Sequence, residues 1–588
     1  MVFLFSTMKK SDICVLILTA FFALQALYLT EIYNINYPYA YDMTSLYIFL
    51  DYFETDDHSF TKFIERLLTD TNSRAIVFPK LVVTPNYLLN NFDSGNIFYM
   101  NWIILILTLV VIFLILRNHN KELYWTLIPI SAFIFSPLIN NNYWNYTILI
   151  WYLPALCIVT IIYFLSRKQN LKNTVMVLLF SSIATYSIPL GLTAWIIGST
   201  TILKRSFHRN ITDWKIPIIY FSSMLAIGTI YYSGNIAAQK IIPISQFLTV
   251  KTVFVVATFI AVPFKLKYDI LMISVGLISI LLSISLSYYL GIRKKKINEI
   301  FPWVLFLVIG FSGAIIMRIG RFADYFEGNL PYYSPIAELF QIGITVLTAS
   351  MILEIRKDNF KRKKFILFIL YSIIILQMIL LIPSYYNGWW KADYYYNEKL
   401  EHISCFSLYY NGYDCDTYYI KSFDKVDDVT WYNTFVILNY FIKNHSNLFS
   451  DPNFNKETID ELKKFGENIN QSTVRKIEGE ISTINNVKEI KEYSIRDDQS
   501  LFITGHIIDE NANDISAIYL MMDGRPVTKF DNFDHSEYTI DNIKKGKIEW
   551  RFGILKSYLE SGCKTVTIAG TIDNEIFILN DTVKVCLD

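Results

Sequence analysis

Up to about Tyr385 the sequence returns repeatedly to apolar runs of about 15–24 residues, the length that crosses a ~30 Å hydrocarbon core as a helix. Beyond that point such runs stop and charged residues become frequent. A chain built this way changes solvent part-way along, from lipid to water. The composition agrees: 53% of the 588 residues are hydrophobic and only 18% charged, below the ~25% of ordinary soluble domains. The net charge of +1 gives no sign of a nucleic-acid partner.

Spanning helices are expected at 12–31, 97–116, 122–139, 145–166, 173–188, 190–203, 214–233, 268–290, 300–318, 335–355 and 364–384, eleven in all. Lys9 and Lys10 ahead of the first run, with small Ala23 and Ala26 inside it, would suit a signal peptide. The length of the run and the spans that follow favour a retained anchor. Basic residues gather in alternate loops: Arg117 and Lys121; Arg167, Lys168 and Lys172; Lys204, Arg205 and Arg209; Arg293 to Lys296; Arg356 to Lys364. The positive-inside rule makes those loops cytoplasmic. The apolar piece 251–264 would break this alternation as a span, so it is expected to be a re-entrant or interfacial helix ending at Pro263.

This topology predicts a membrane domain over 1–384, a large extracytoplasmic first loop at 32–96, a mainly helical extracytoplasmic segment at 385–477, and a β-sandwich at 478–588. Trp389 and Trp390 would anchor the last span at the interface. After about residue 478 the apolar period becomes two, in LFITGHIID, AIYLMMDGRPV, TVTIAGTIDNEIFIL and TVKVCLD. Asp523-Gly524 and Asp573-Asn574 stand where hairpin turns are needed. ETIDELKKFGENI before it reads as a charged linker helix. Of the six cysteines, Cys14 and Cys157 are small core residues of apolar helices. Cys405 and Cys415, ten residues apart in a polar stretch, are expected to form a disulfide in an oxidising compartment, and Cys563 and Cys586 could pair as well. No CxxC is present and the histidines are scattered, which argues against zinc.

Three short segments carry candidate chemistry. YPYAYDM, past the first span, puts Asp42 in an aromatic frame, where a carboxylate could act as general base towards a hydroxyl, with Asp51, Asp56 and Asp57 of the same loop as competitors. TNSRAIVFPKL sets Arg74 in an apolar run, where a guanidinium is costly unless it meets an anion or snorkels to a headgroup. MRIGRFADYFEGNLPYYS places Arg318 and Arg321 one turn apart at an external helix end, facing a bound anion or paired with Asp324, Glu327 or Glu338. No phosphate-binding Gly-rich loop or nucleophile elbow is present, and no cytoplasmic loop could fold a nucleotide-binding domain. Any enzyme here would need a donor already activated on a lipid.

Taken in order, these segments resemble the GT-C-type glycosyltransferases that use polyprenyl-phosphate sugars. The closer resemblance is to prokaryotic multi-pass proteins related to O-antigen glucosyltransferases. YPYAYDM matches their acidic segment after span one at Asp42. TNSRAIVFPKL keeps Asn72, Arg74, Phe78, Pro79 and Leu81, with Ser73 where the family has Glu-His. SPLINNNYW keeps Ser136 to Leu138, Asn142 and Trp144, with Ile139 for a glutamine; the last segment keeps Gly320 and Arg321, with Pro331 near a second arginine. The resemblance implies an α-helical, GT-C-like membrane fold of about eleven spans with an extracytoplasmic β module. It also implies transfer of a sugar from a polyprenyl-phosphate donor to a glycan, lipid-linked or protein acceptor. Asp42 would be the base. Arg74 with Arg318 or Arg321 would hold the donor phosphate, and Asn72, Asn142 and Trp144 would line the substrate site. No cofactor is implied, and a metal requirement leaves no readable trace. The competing readings are a transporter or flippase for a lipid-linked or polar solute, and a membrane-anchored surface protein without catalysis.

Overall fold

The computed structural model describes residues 10–33, 49, 52, 59–68, 76–90, 94–137, 147–167, 170–208, 215–235, 249–320, 334–357, 362–410 and 456–469, and the strands and turn of the C-terminal region given below. Contacts divide the chain into two units, Met1–Tyr396 and Asn397–Asp588.

The first unit is helical. Its α-helices are α1 (Lys10–Tyr33), α2 (Phe60–Leu68), α3 (Val77–Asn90), α4 (Ser94–His119), α5 (Leu127–Ile134), α6 (Thr147–Ser166), α7 (Leu171–Thr185), α8 (Thr193–His208), α9 (Lys215–Asn235), α10 (Val250–Ala261), α11 (Asp269–Tyr288), α12 (Ile297–Gly320), α13 (Ser334–Lys357) and α14 (Lys363–Tyr410). Among the described residues, six segments are long and apolar enough to cross a membrane: Ile13–Tyr33, Asn96–His119, Asp269–Arg293, Ile297–Ile319, Ser334–Lys357 and Lys363–Ala392. They coincide with six of the eleven expected spans, in keeping with a membrane protein. Four more, Trp151–Ser166, Leu171–Thr185, Leu190–Ile202 and Lys215–Tyr231, are apolar but shorter.

The segment expected to span at 122–139 folds differently. It is a 3-10 helix over Lys121–Thr126 followed by the eight residues of α5, together about 24 Å long. Asn120 starts it by accepting the Glu122 N–H at 2.9 Å, and Pro137 follows its end. The last span also differs, because α14 continues to Tyr410 rather than stopping at 384.

Exposure sorts the helices by surroundings. Ile17, Phe21, Leu24 and Tyr28 of α1 are exposed, as are Ile278, Leu281 and Ile284 of α11 and Phe365, Phe368 and Ile382 of α14. Such apolar faces suit contact with lipid tails. By contrast α13 is buried on every side from Ser334 to Ala349, which makes it the central helix of the unit. It packs antiparallel on α12 through small residues that bring the backbones close: Gly310 lies against Phe340, Gly313 against Ile336, and Gly343 against the Trp303 carbonyl.

The segment at 251–264 is a short helix: α10 has twelve residues, about 18 Å. It is buried from Val255 onward, ends in a 3-10 turn over Val262–Phe264 containing Pro263, and turns away at left-handed Lys265 (φ 43°). It lies against α11 so closely that a Cβ on Gly276 would sit 1.9 Å from the Ala257 carbonyl oxygen.

In the second unit, α15 (Lys456–Ile469) precedes, among the described residues, eleven strands. These are β1 (Arg475–Ile477), β2 (Gly479–Ile484), β3 (Val487–Lys488), β4 (Glu492–Ile495), β5 (Leu501–Asp509), β6 (Ile515–Met522), β7 (Arg525–Phe530), β8 (Asp534–Ile540), β9 (Ile543–Ile554), β10 (Gly562–Ile572) and β11 (Glu575–Leu587). They form two sheets, ordered β1-β11-β10-β6-β7, with β4 also on β11, and β3-β2-β5-β9-β8. A bond from the Ile481 N–H to Asp581 Oδ2, 2.9 Å long, ties β2 of one to β11 of the other. The apolar run of β6 is explained by cover on both faces. Tyr519 stacks on Phe465 of α15 with centroids 3.7 Å apart, so this helix is a packed element rather than a linker.

Cys563 and Cys586 stand opposite each other on β10 and β11 and form a disulfide. Asp523 and Gly524 turn β6 into β7 with φ of 48° and 78°, the backbone that a two-residue hairpin with Asp-Gly requires. The Thr565 N–H donates to Asp523 at 2.9 Å and, with Lys564 beside it, holds this carboxyl below its usual range. Gly524→Val is therefore expected to destabilise this unit by about 1 kcal/mol or more. The denaturant midpoint of the full chain, followed by proteolysis of the C-terminal region, would measure it.

Candidate functional site

The described residue that most directly joins the sequence motifs to the fold is Arg318. It lies in the last turn of α12 and is only 4% exposed. Its Nε donates to Thr252 Oγ1 in the first turn of α10, at 3.2 Å. A cation at a helix C-terminus is favoured by the helix dipole, but that effect needs no burial. Burying a guanidinium is costly, and its planar fork suits carboxylate or phosphate oxygens.

Glu338 was one expected partner for Arg318, and here the structure corrects the sequence. The antiparallel register that sets Gly310 against Phe340 puts Glu338 about 9 Å deeper than Arg318. Glu338, 3% exposed, instead accepts a hydrogen bond from Ser334 Oγ one turn earlier, at 2.9 Å. Two ionisable side chains therefore lie buried near the same bundle end, each hydrogen-bonded to a hydroxyl.

The end of α10 is held by side chains from the central helices. Gln341 Nε2 donates to the Ile260 carbonyl at 2.9 Å, and Ser384 Oγ to the Pro263 carbonyl at 2.6 Å. Both carbonyls belong to the last turn of a helix that ends inside protein, where water cannot satisfy them. Gln377 Nε2 donates to Gln341 Oε1 at 3.2 Å, and Thr345 Oγ1 donates to Gln377 Oε1 at 3.0 Å. This buried network fixes α10 against α13 and α14, and so fixes Thr252 beneath Arg318.

Lys80, which the sequence reading passed over, is fully buried inside the IVFPKL segment. Its Nζ donates to the Arg66 and Leu67 carbonyls, both at 3.2 Å, and lies 5.8 Å from the centre of the Phe49 ring. It thus caps the last turn of α2 and pins α3 to it, a structural use of a cation at a helix C-terminus. The signal was available: a single lysine in an otherwise apolar helical run needs a buried partner.

Comparison with known families, curated proteins and solved structures returned no match. The site therefore stands on its own residues.

Asp42, Asn72, Arg74, Arg321, Asn142, Trp144 and Cys415 lie outside the described residues, and Cys405 is on α14 outside the described side chains. A cavity of about 10 Å³ lies among Phe164, Asn173, Val177, Ile202 and Tyr220, room for one water at most. Among the described residues no three of His, Cys, Asp and Glu converge into a metal-ligand set.

Proposed function

We propose that the protein is a membrane glycosyltransferase that takes a sugar from a polyprenyl-phosphate donor and passes it to a hydroxyl of a glycan, lipid-linked or protein acceptor on the extracytoplasmic face. The observation that carries this reading is Arg318. It is a guanidinium buried at a helix end, directly before the GRFADYFEGNLPYYS segment that resembles the donor loop of GT-C enzymes. The GT-C-like fold of about eleven spans, the outward placement of the C-terminal sheets and the pairing of Cys405 with Cys415 belong to the same proposal. They rest on the alternation of basic loops and on the order of the motifs.

The chemistry balances with few groups. The acceptor oxygen attacks the anomeric carbon as its proton passes to the Asp42 carboxylate. The bond from that carbon to the phosphate oxygen breaks, and polyprenyl phosphate departs with the electron pair and one more negative charge. Arg318, with Arg74 and Arg321, would oppose that charge as it develops, an effect strongest where water is excluded. Asn72, Asn142 and Trp144 would orient the sugar and acceptor.

The test is reconstitution of the purified chain with a panel of radiolabelled polyprenyl-phosphate hexoses and membranes from the native host as acceptor. Label is expected to move into a glycan that survives delipidation. Uptake of labelled lipid or solute into vesicles, with no covalent product from any donor, would replace this reading with a transporter.

A further inference from the structure

We propose that α3 lies in the membrane surface with its outer face among lipid acyl chains, so that this part of the long first loop is seated on the bilayer and not surrounded by water.

The outer face of this helix is an unbroken apolar arc. Leu81, Pro85 and Leu88 recur at i, i+4 and i+7, with Leu89 beside them, and all four are exposed. Leu88 is 58% exposed and Leu89 80%. The opposite arc holds the buried residues Val77, Lys80, Val83 and Asn86. The helix is therefore inverted relative to one bathed in water. Its lysine and an asparagine, 0% and 2% exposed, are turned to protein, and its leucines are turned out. Both polar groups are matched on the inside. Lys80 Nζ holds the two carbonyls that end α2, and Asn86 Oδ1 accepts from Asn96 Nδ2 at 3.2 Å. A helix that hides its polar groups and presents its leucines is matched to hydrocarbon on the outside.

Two tethers set its depth. Asn96, which holds Asn86, is in the first turn of α4, at the head of one of the apolar segments of membrane-spanning length. The Phe78 N–H donates to the carbonyl of Tyr186, the residue that follows α7, at 3.4 Å. At the other ends of α4 and α7 stand the basic clusters Arg117 with Lys121 and Arg167 to Lys172, so both tethered ends belong to one face of the membrane. The tethers are eight residues apart along α3, about 12 Å, so the helix crosses over the ends of its neighbours. At that level an apolar helix face sinks about 5–10 Å into the boundary between headgroups and acyl chains. α2, fixed to α3 by Lys80, adds exposed Phe60 and Leu68. Lipid seating of α3 requires no sugar chemistry, so it stands or falls apart from the transferase reading.

The experiment places the full chain, one copy per nanodisc, in phosphatidylcholine that carries a photoactivated diazirine on its acyl chain, and maps the adducts by mass spectrometry. The α3 peptide is expected to take label within about threefold of the exposed face of α11, and about tenfold or more above strands β10 and β11. One copy per disc excludes a second copy of the chain as the cover. Hydroxyl-radical footprinting of the same particles should leave Leu88 and Leu89 unmodified while the exposed residues of α15 are oxidised. Leu88→Asp adds no more than a solvated charge if this face meets water; against lipid it should cut the α3 adducts about fivefold. Labelling of α3 no stronger than that of β10 and β11 overturns the proposal. Oxidation of Leu88 and Leu89 to the level of α15 does the same, as does an unaltered adduct yield in Leu88→Asp.

Discussion

Asp42→Asn is expected to lower sugar transfer by about 10²–10⁴-fold while the protein still inserts and accumulates normally. Asparagine keeps the size and most hydrogen-bonding capacity of aspartate but cannot take a proton from the acceptor hydroxyl. If Asp42 is the base, the loss should fall on kcat, and binding of the lipid donor should be almost unchanged. A charge whose role was to hold the first loop would behave differently, lowering the amount of protein and donor binding together. Asp51, Asp56 and Asp57 in the same loop supply matched controls, since their Asn variants remove the same charge without removing the proposed base. Full activity in Asp42→Asn would take Asp42 out of the mechanism.

The fold was legible in the sequence wherever local physics decides it. Lipid-length apolar runs announced six long helices. The apolar run at 251–264 announced a helix, and α10 is one. Asp523-Gly524 declared its turn because few other pairs tolerate two successive positive φ values.

What stayed hidden depends on partners distant in sequence. α15 looked like a linker because its charges outnumber its apolar residues, yet one phenylalanine stacked on Tyr519 is enough to dock it. The pairing of Cys563 with Cys586 follows from β10–β11 register, which spacing alone leaves open. Lys80 is an unremarkable lysine until the fold supplies two carbonyls for it. For the candidate site, the motif reading located Arg318 but not its partner: Thr252 reaches it only because α10 folds back beneath the end of α12.

That arrangement leads to the strongest structural prediction, Gly276→Leu. Even a methyl group at this position would stand 1.9 Å from the Ala257 carbonyl oxygen, a clash with backbone that rotamer change cannot relieve. α10 and α11 must then separate. Separation withdraws the Ile260 carbonyl from Gln341 and the Pro263 carbonyl from Ser384, in a region where no water replaces them. Each orphaned carbonyl costs about 1–3 kcal/mol, and overpacking adds about 1–3 more. The sum approaches the whole stability of a typical folded domain, about 5–15 kcal/mol. Gly276→Leu should therefore abolish the monodisperse species on size-exclusion chromatography or lower its melting temperature by more than 10 °C, an order-of-magnitude expectation from those energies. Gly228 on α9 is the control, because a Cβ there meets nothing within 4 Å, and Gly228→Leu should leave the protein intact. If the two leucine variants melt alike, α10 is not seated against α11 as described, and the support beneath Arg318 goes with it.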